Sequence, residues 1–258
     1  MTEYTTSADG TRIAFDRYGR GPGIIFVGGA MQFRAVDEQT TQLAQRLADL
    51  GYSAIVYDRR GRGESDTADS YTLSDEIADL DALARHLGPD VALYGSSSGG
   101  AIVLAAAAAG IPASKLALWE VPLGEENGTD AAQHLHELGR VIAAGDNTAV
   151  IRLFMSGMPL EWIEPALNTP EIVAMAPSLA ADADALAWTQ SAPHNALWGG
   201  INQPTLVLLG DDTLPMMPAA AEQIRATVPN AQLHTIQASG HGWNTDVMID
   251  ALHAFLSP

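Results

Sequence analysis

Residues 91–100 read VALYGSSSGG, and no other stretch limits the possible folds of this chain so severely. The apolar run VALY reads as a buried strand, and AIVLAAAAA from Ala101 has strong helix propensity. Between them lies Gly95-Ser96-Ser97-Ser98-Gly99. A strand, a G-x-S-x-G turn and a helix, in that order, are the setting in which a serine hydroxyl is held out on a sharp turn as a nucleophile. Such a turn presses together the residues two places before and two places after the serine, so both must be glycine. Among the three adjacent serines only Ser97 meets this condition, with Gly95 and Gly99. Ser98 has Ser96 and Gly100, and Ser96 has Tyr94 and Ser98. A phosphate-cradling loop would need a following lysine or a G-x-G-x-x-G spacing, and neither is present.

The rest of the chain alternates strand and helix signals around this turn. Residues 3–18, interrupted by Ala8-Asp9-Gly10, read as two strands joined by a turn. Strands follow at 24–27, 53–57, 90–94 and 115–119, with helices near 37–50 and 73–87. Residues 122–200 break the alternation, with helical patterns and repeated prolines but no strand-like run. It resumes with strands at 205–209 and 231–236 and helices near 216–228 and 245–256. These elements predict an α/β fold with a mostly parallel eight-stranded sheet and helices on both faces. A chain of 258 residues is long enough for one such domain.

Composition narrows the classes of partner. A net charge of −18 disfavours nucleic acid and anionic membrane surfaces. The longest apolar stretch, Ala101 to Ala109, falls well short of the ~20 residues of a membrane span. The first residues, MTEYTTSADG, lack the basic and apolar regions of a secretory signal, so a cytoplasmic location is expected. With no cysteine there is no disulfide framework and no thiolate metal site. His134 and His136, two apart on a predicted helix, point different ways and make no metal pair. We expect no metal and no cofactor.

Taken in order, the segments IIFVGGA (24–30), YDRRGRGES (57–65), the Ser97 turn, QPTLVLLGDD (203–212) and SGHGW (239–243) resemble the α/β-hydrolase family along nearly the whole chain. The resemblance implies a core domain of residues 1–121 and 201–258 with a helical cap, 122–200, inserted in it. It also implies a serine hydrolase in which an imidazole takes the serine proton and a carboxylate holds the imidazole. The base expected from this resemblance is His241, in a loop flanked by Gly240 and Gly242. The family's usual acid position, the fourth residue of a G-x-x-D after the strand that follows the cap, is occupied here by Thr213, with Asp212 one residue early. Some members draw the acid instead from the strand after the nucleophile helix, where this chain reads Trp119-Glu120-Val121-Pro122. Zearalenone lactonases combine that feature with a G-x-S-S-G-G elbow, and both features match here. The resemblance therefore favours Glu120 as the acid, with Asp212 as the alternative. Aligning Gly28-Gly29-Ala30 with the family's His-Gly-x makes the N–H groups of Ala30 and Ser98 the oxyanion-hole donors.

The cap segment is rich in large apolar residues, among them Phe154, Met158, Trp162, Trp188 and Trp198, with His194 nearby. Some must form its own core, and the surplus predicts an apolar ceiling over the serine. The expected partner is a small hydrophobic ester or lactone, for a monomer or homodimer. Two further uses of the same site stay open: carbon–carbon bond hydrolysis or perhydrolysis, and ligand reception with vestigial turnover.

Overall fold

The computed structural model describes residues 1–257. Strands β1 (Glu3–Thr6) and β2 (Arg12–Gly19) are followed by β3 (Gly23–Val27), α1 (Glu38–Asp49), β4 (Ser53–Tyr57), α2 (Leu73–Ala84), β5 (Val91–Ser96), α3 (Ser98–Ala108) and β6 (Lys115–Trp119). Then come α4 (Asp130–Ala143), α5 (Asn147–Phe154), α6 (Leu160–Leu167), α7 (Pro170–Ala174), a 3₁₀ turn (Ala176–Ser178), α8 (Leu179–Gln190) and α9 (His194–Trp198). The chain closes with β7 (Thr205–Asp212), α10 (Met217–Thr227), β8 (Ala231–Ser239) and α11 (Thr245–Leu256). Among the described residues these strands form one eight-stranded sheet in the order β1-β2-β4-β3-β5-β6-β7-β8. The β1–β2 and β2–β4 pairings are antiparallel and the others parallel, as the α/β reading predicts.

The central strands form because both of their faces are covered. Every residue of β3, β4 and β5 is buried, as expected for strands sandwiched between helix layers. Alternation along β3 sends Ile24 and Phe26 to the layer of α1 and α11, and Ile25 and Val27 to the layer of α2, α3 and α10. The predicted helix over 73–87 stops at Ala84, and residues 85–87 form a turn that leads into Gly88, at φ +86°. His86 lies in that turn, not in the helix, with its ring 4.9 Å from that of Phe15.

Topology sets the place for a site. From β3 the chain moves outward to β4, and from β4 it crosses back over β3 to β5. The loops after β3 and β5 therefore leave neighbouring strands in opposite directions and open a crevice between them. Residues 24–30 and 95–98, singled out in the sequence, meet there. The helices between β6 and β7 cover that end of the sheet. Part of α5, α6 and α8 builds a separate apolar cluster with Phe33, while Ala185 and Trp198 join the main core.

Candidate active site

The serine turn is built by close backbone approach. A Cβ on Gly95 would come within 2.5 Å of Gly100 Cα, and one on Gly99 within 2.4 Å of the Val27 carbonyl oxygen. The first contact is the crowding across the turn read from the sequence; the second comes from the end of β3, beside which the turn packs. Ser97 sits at the apex with φ +55° and ψ −127°, between the end of β5 and the first residue of α3. Ser96 also lines the cavity in front of the turn. Ser98 points elsewhere: its hydroxyl is buried and donates to Asp182 Oδ1 at 2.7 Å.

His241 and Glu120 meet from distant parts of the chain. His241 Nδ1 lies 2.5 Å from Glu120 Oε2. The other carboxylate oxygen, Oε1, accepts the Gly210 N–H at 2.9 Å, and a Cβ on Gly210 would crowd it at 3.0 Å. Glu120 is buried, and burial alone opposes its ionisation. The hydrogen bonds from His241 and Gly210, with the Thr213 hydroxyl close by, outweigh this and hold the carboxyl below its ordinary range. Thr213 thus stands beside the carboxylate at the position where the common pattern has the acid itself. The His241 loop is pinned in turn, since its carbonyl accepts the indole N–H of the fully buried Trp119 at 3.1 Å.

The Asp211 and Asp212 side chains make no hydrogen bond to His241, although the Asp212 carbonyl accepts the Gly240 N–H at 2.9 Å. The predicted strand 205–209 continues to Asp212, because pairing with β8 carries on through a bulge at Gly210. Both carboxylates are exposed, and they line an outer groove with Gln237 and Ser239 instead of the cavity that holds Ser97. Asp211 caps the Ala238 N–H at 2.9 Å.

Backbone strain concentrates at this place. Among the described residues five non-glycines have left-handed φ, and four of them, Met31, Ser97, Glu120 and His241, belong to this site. Such conformations cost roughly 1–3 kcal/mol each and persist only where the surroundings enforce them. The loop after β3 is enforced by Gln32, whose Oε1 accepts the Gly29 N–H at 2.5 Å and whose amide donates to Asp37 at 2.9 Å. That leaves the Ala30 N–H with no hydrogen-bond partner among the described residues. Ala30 lines the cavity, and Ser98 stands at the N-terminus of α3, where first-turn N–H groups lack intrahelical partners.

The cavity has a volume of about 380 Å³ and contains Ser97 and His241. Of the large apolar residues of the cap, Phe154, Met155, Met158 and Trp162 line it. Trp188, His194 and Trp198 do not. They pack on one another at the root of the cap, with His194 stacked 4.5 Å from Trp198. Sequence reasoning missed Met31, Met216, Met217 and Trp243 in the lining, because they lie in loops and at a helix end with no periodicity to betray their direction. It also missed a buried ion cluster beneath the loop after β3. Three arginines within the short run DRRGRG were its only local signal. Among the described residues no group of three or more His, Asp or Glu side chains converges on a possible metal position.

Comparison with known proteins agrees with this architecture. The sequence matches the alpha/beta hydrolase family over residues 24–255, and the chain belongs to that family. An alpha/beta hydrolase from Sphaerobacter thermophilus is 31% identical, with a TM-score of 0.86 over 99% of this chain and 100% of its own. A thermophilic esterase from Thermogutta terrifontis shares the fold, with 23% identity and a TM-score of 0.74 over 99% and 98% of the two chains. A non-heme haloperoxidase of Rhodococcus erythropolis is 36% identical over 100 residues, which span 38% of this chain and 35% of that protein. No helix among the described residues is long and apolar enough to cross a membrane.

Proposed function

We propose that this hydrolase cleaves a carboxylic ester or lactone of a neutral, hydrophobic small molecule through an acyl-enzyme on Ser97. The observation that carries the reading is the 2.5 Å hydrogen bond between His241 and the buried Glu120, at a cavity that also presents Ser97 on its strained turn. His241, held by Glu120 through Nδ1, takes the Ser97 proton on its other ring nitrogen as Oγ attacks the carbonyl carbon. The oxyanion that forms accepts from the N–H groups of Ala30 and Ser98. The imidazolium returns its proton to the departing alkoxide, and a water activated by the same base then releases the acid.

The cavity supports the substrate class. Its lining includes five methionines, Phe154 and two tryptophans, and no Asp, Glu, Lys or Arg. Thioethers adapt to varied apolar shapes, and a charged substrate would find no counter-ion there. A second reading, attack on the acyl-enzyme by hydrogen peroxide in place of water, has the partial likeness to a haloperoxidase in its favour.

The test is covalent labelling with a fluorophosphonate, mass mapping of the adduct, and hydrolysis of p-nitrophenyl esters. Ser97→Ala is expected to abolish both labelling and hydrolysis, while Ser96→Ala and Ser98→Ala remain labelled. An adduct on Ser98 would overturn the assignment. Peracid formation from ester and peroxide at a rate above ester hydrolysis would favour the second reading.

A further inference from the structure

Beneath the loop after β3 lie four charged side chains, Arg59, Arg62, Glu76 and Asp182, each no more than 1% exposed. Burying ion pairs is rarely the most stable use of such space, since apolar residues of similar volume often do as well or better. Their geometry suggests what else they do. Arg62 engages all three of its nitrogens: Nη1 donates to the carbonyls of Gly29 at 2.7 Å and Gln32 at 3.2 Å, Nε to Ser178 Oγ at 3.1 Å, and Nη2 to Asp182. Asp182 is carried on α8, in the segment that covers the site. Its Oδ1 accepts from Arg59 at 2.6 Å and from the Ser98 hydroxyl at 2.7 Å.

The Gly29 carbonyl and the Ala30 N–H belong to one peptide unit. That unit is trans, so its C=O and N–H point in opposite directions. Drawing the oxygen down onto a fixed guanidinium therefore turns the Ala30 N–H up, toward the cavity that Ala30 lines. A charged donor on the carbonyl also polarises the peptide and strengthens its N–H as a donor. The other proposed donor, Ser98, is tied through its hydroxyl to the carboxylate that pairs with Arg62. One buried cluster thus grips both residues whose N–H groups would face a developing oxyanion.

We propose that Arg62 and Asp182 are positioning residues for the oxyanion hole, Arg62 by orienting the Gly29–Ala30 peptide and Asp182 by locking Arg62 and Ser98 from the cap. This rests on the Ser97 hydrolase reading. It makes the cap part of the machinery that sets kcat, in addition to shaping the pocket.

Two variants separate positioning from mere support of the fold. Arg62→Met removes the charged donor and leaves the Gln32 N–H, at 3.3 Å, on the Gly29 carbonyl. The double variant Arg62→Met/Asp182→Leu removes both charges and leaves Arg59 paired with Glu76, so no odd charge stays buried. Both are expected to lose about 10²-fold in kcat for a p-nitrophenyl ester, the scale of losing one oxyanion donor, with KM within a few-fold. Affinity for a boronic acid transition-state analogue should fall in parallel, while affinity for an uncharged ether analogue of the ester stays put. Arg62→Lys, which restores one donor, should recover part of kcat. Fluorophosphonate labelling of the wild type at Ser97 is checked first, because its absence would count against the hydrolase reading alone. If the wild type labels and the folded double variant keeps its kcat and boronate affinity, the positioning role is wrong.

Discussion

The floor and the ceiling of the cavity are built on opposite principles. The floor, formed by the ends of β3, β5 and β6 and the loop after β8, is made of glycine turns, left-handed residues and buried hydrogen-bonded charge. The ceiling from the cap presents Phe154, Met155, Met158 and Trp162, apolar side chains on helices or short loops, with no hydrogen bond among their side chains. Preorganised polar groups act on the transition state, whereas an apolar wall binds ground state and transition state alike. Changes in the floor should therefore appear in kcat and changes in the ceiling mainly in KM.

The largest expected effect separates one floor residue, Glu120, from two nearby carboxylates that line the outer groove. Glu120→Gln keeps an acceptor for the Gly210 N–H but loses the charge that stabilises an imidazolium, so kcat should fall by about 10³–10⁴-fold. Asp212→Asn and Asp211→Asn, whose side chains are exposed and make no hydrogen bond to His241, should stay within about tenfold of wild type. Circular dichroism and melting temperature must accompany the kinetics, because Glu120 is buried. An inactive Asp212→Asn beside an active Glu120→Gln would invert the comparison.

How much of this was legible depended on whether the constraint was local. Gly95 announces the turn because the crowding it relieves is with Gly99 and Gly100, close in sequence, whereas the space at Gly99 is set by Val27 and Gly28 at the end of the neighbouring strand. The buried strands announce themselves because both faces are apolar, whereas His241 is expected from the family resemblance of its loop. Glu120 is favoured over Asp212 on the resemblance to other family members, and its hydrogen bond to His241 spans 121 residues and has no local trace. Asp182 is the extreme case. In the run LAADADALAW it differs little from Asp184, yet Asp182 is fully buried against two arginines and Asp184 caps the Leu73 N–H. The roles of Trp188 and Trp198 also depend on partners: α8 and α9 rest on α3, so these rings fill the joint and leave the pocket to α5 and α6.

Ceiling variants give the next effect in size. Trp162→Ala and Met158→Ala enlarge the cavity without touching a hydrogen bond of the floor. Removing a large apolar contact should raise KM for a short-chain ester and shift preference toward bulkier acyl groups by about tenfold in relative kcat/KM. The measurement is a series of p-nitrophenyl esters of increasing length. If kcat collapses for every ester while KM holds, the ceiling is tied to the chemistry as closely as the floor is.

The smallest effect lies where the cap joins the core, at His194. Its ring is 2% exposed and stacked on Trp198, while Nδ1 is 3.3 Å from Glu126 Oε1. Burial holds its pKa below the ordinary value of 6.5, against the opposing pull of the Glu126 charge and the Thr189 backbone. A depressed folded-state pKa means that the unfolded chain binds more protons in the window just below about pH 6.5, so stability must rise with pH through that window. Above it both states are neutral at this residue and the contribution is flat. Urea unfolding midpoints should therefore drop from about pH 7.5 to about pH 5.5, and His194→Gln should remove part of that drop while leaving kcat for a short ester near wild type. An equal drop in the variant would assign the acid sensitivity to other groups. A large change in kcat would mean that this joint reaches the floor through the cap, bringing His194 into the same mechanical unit as Asp182.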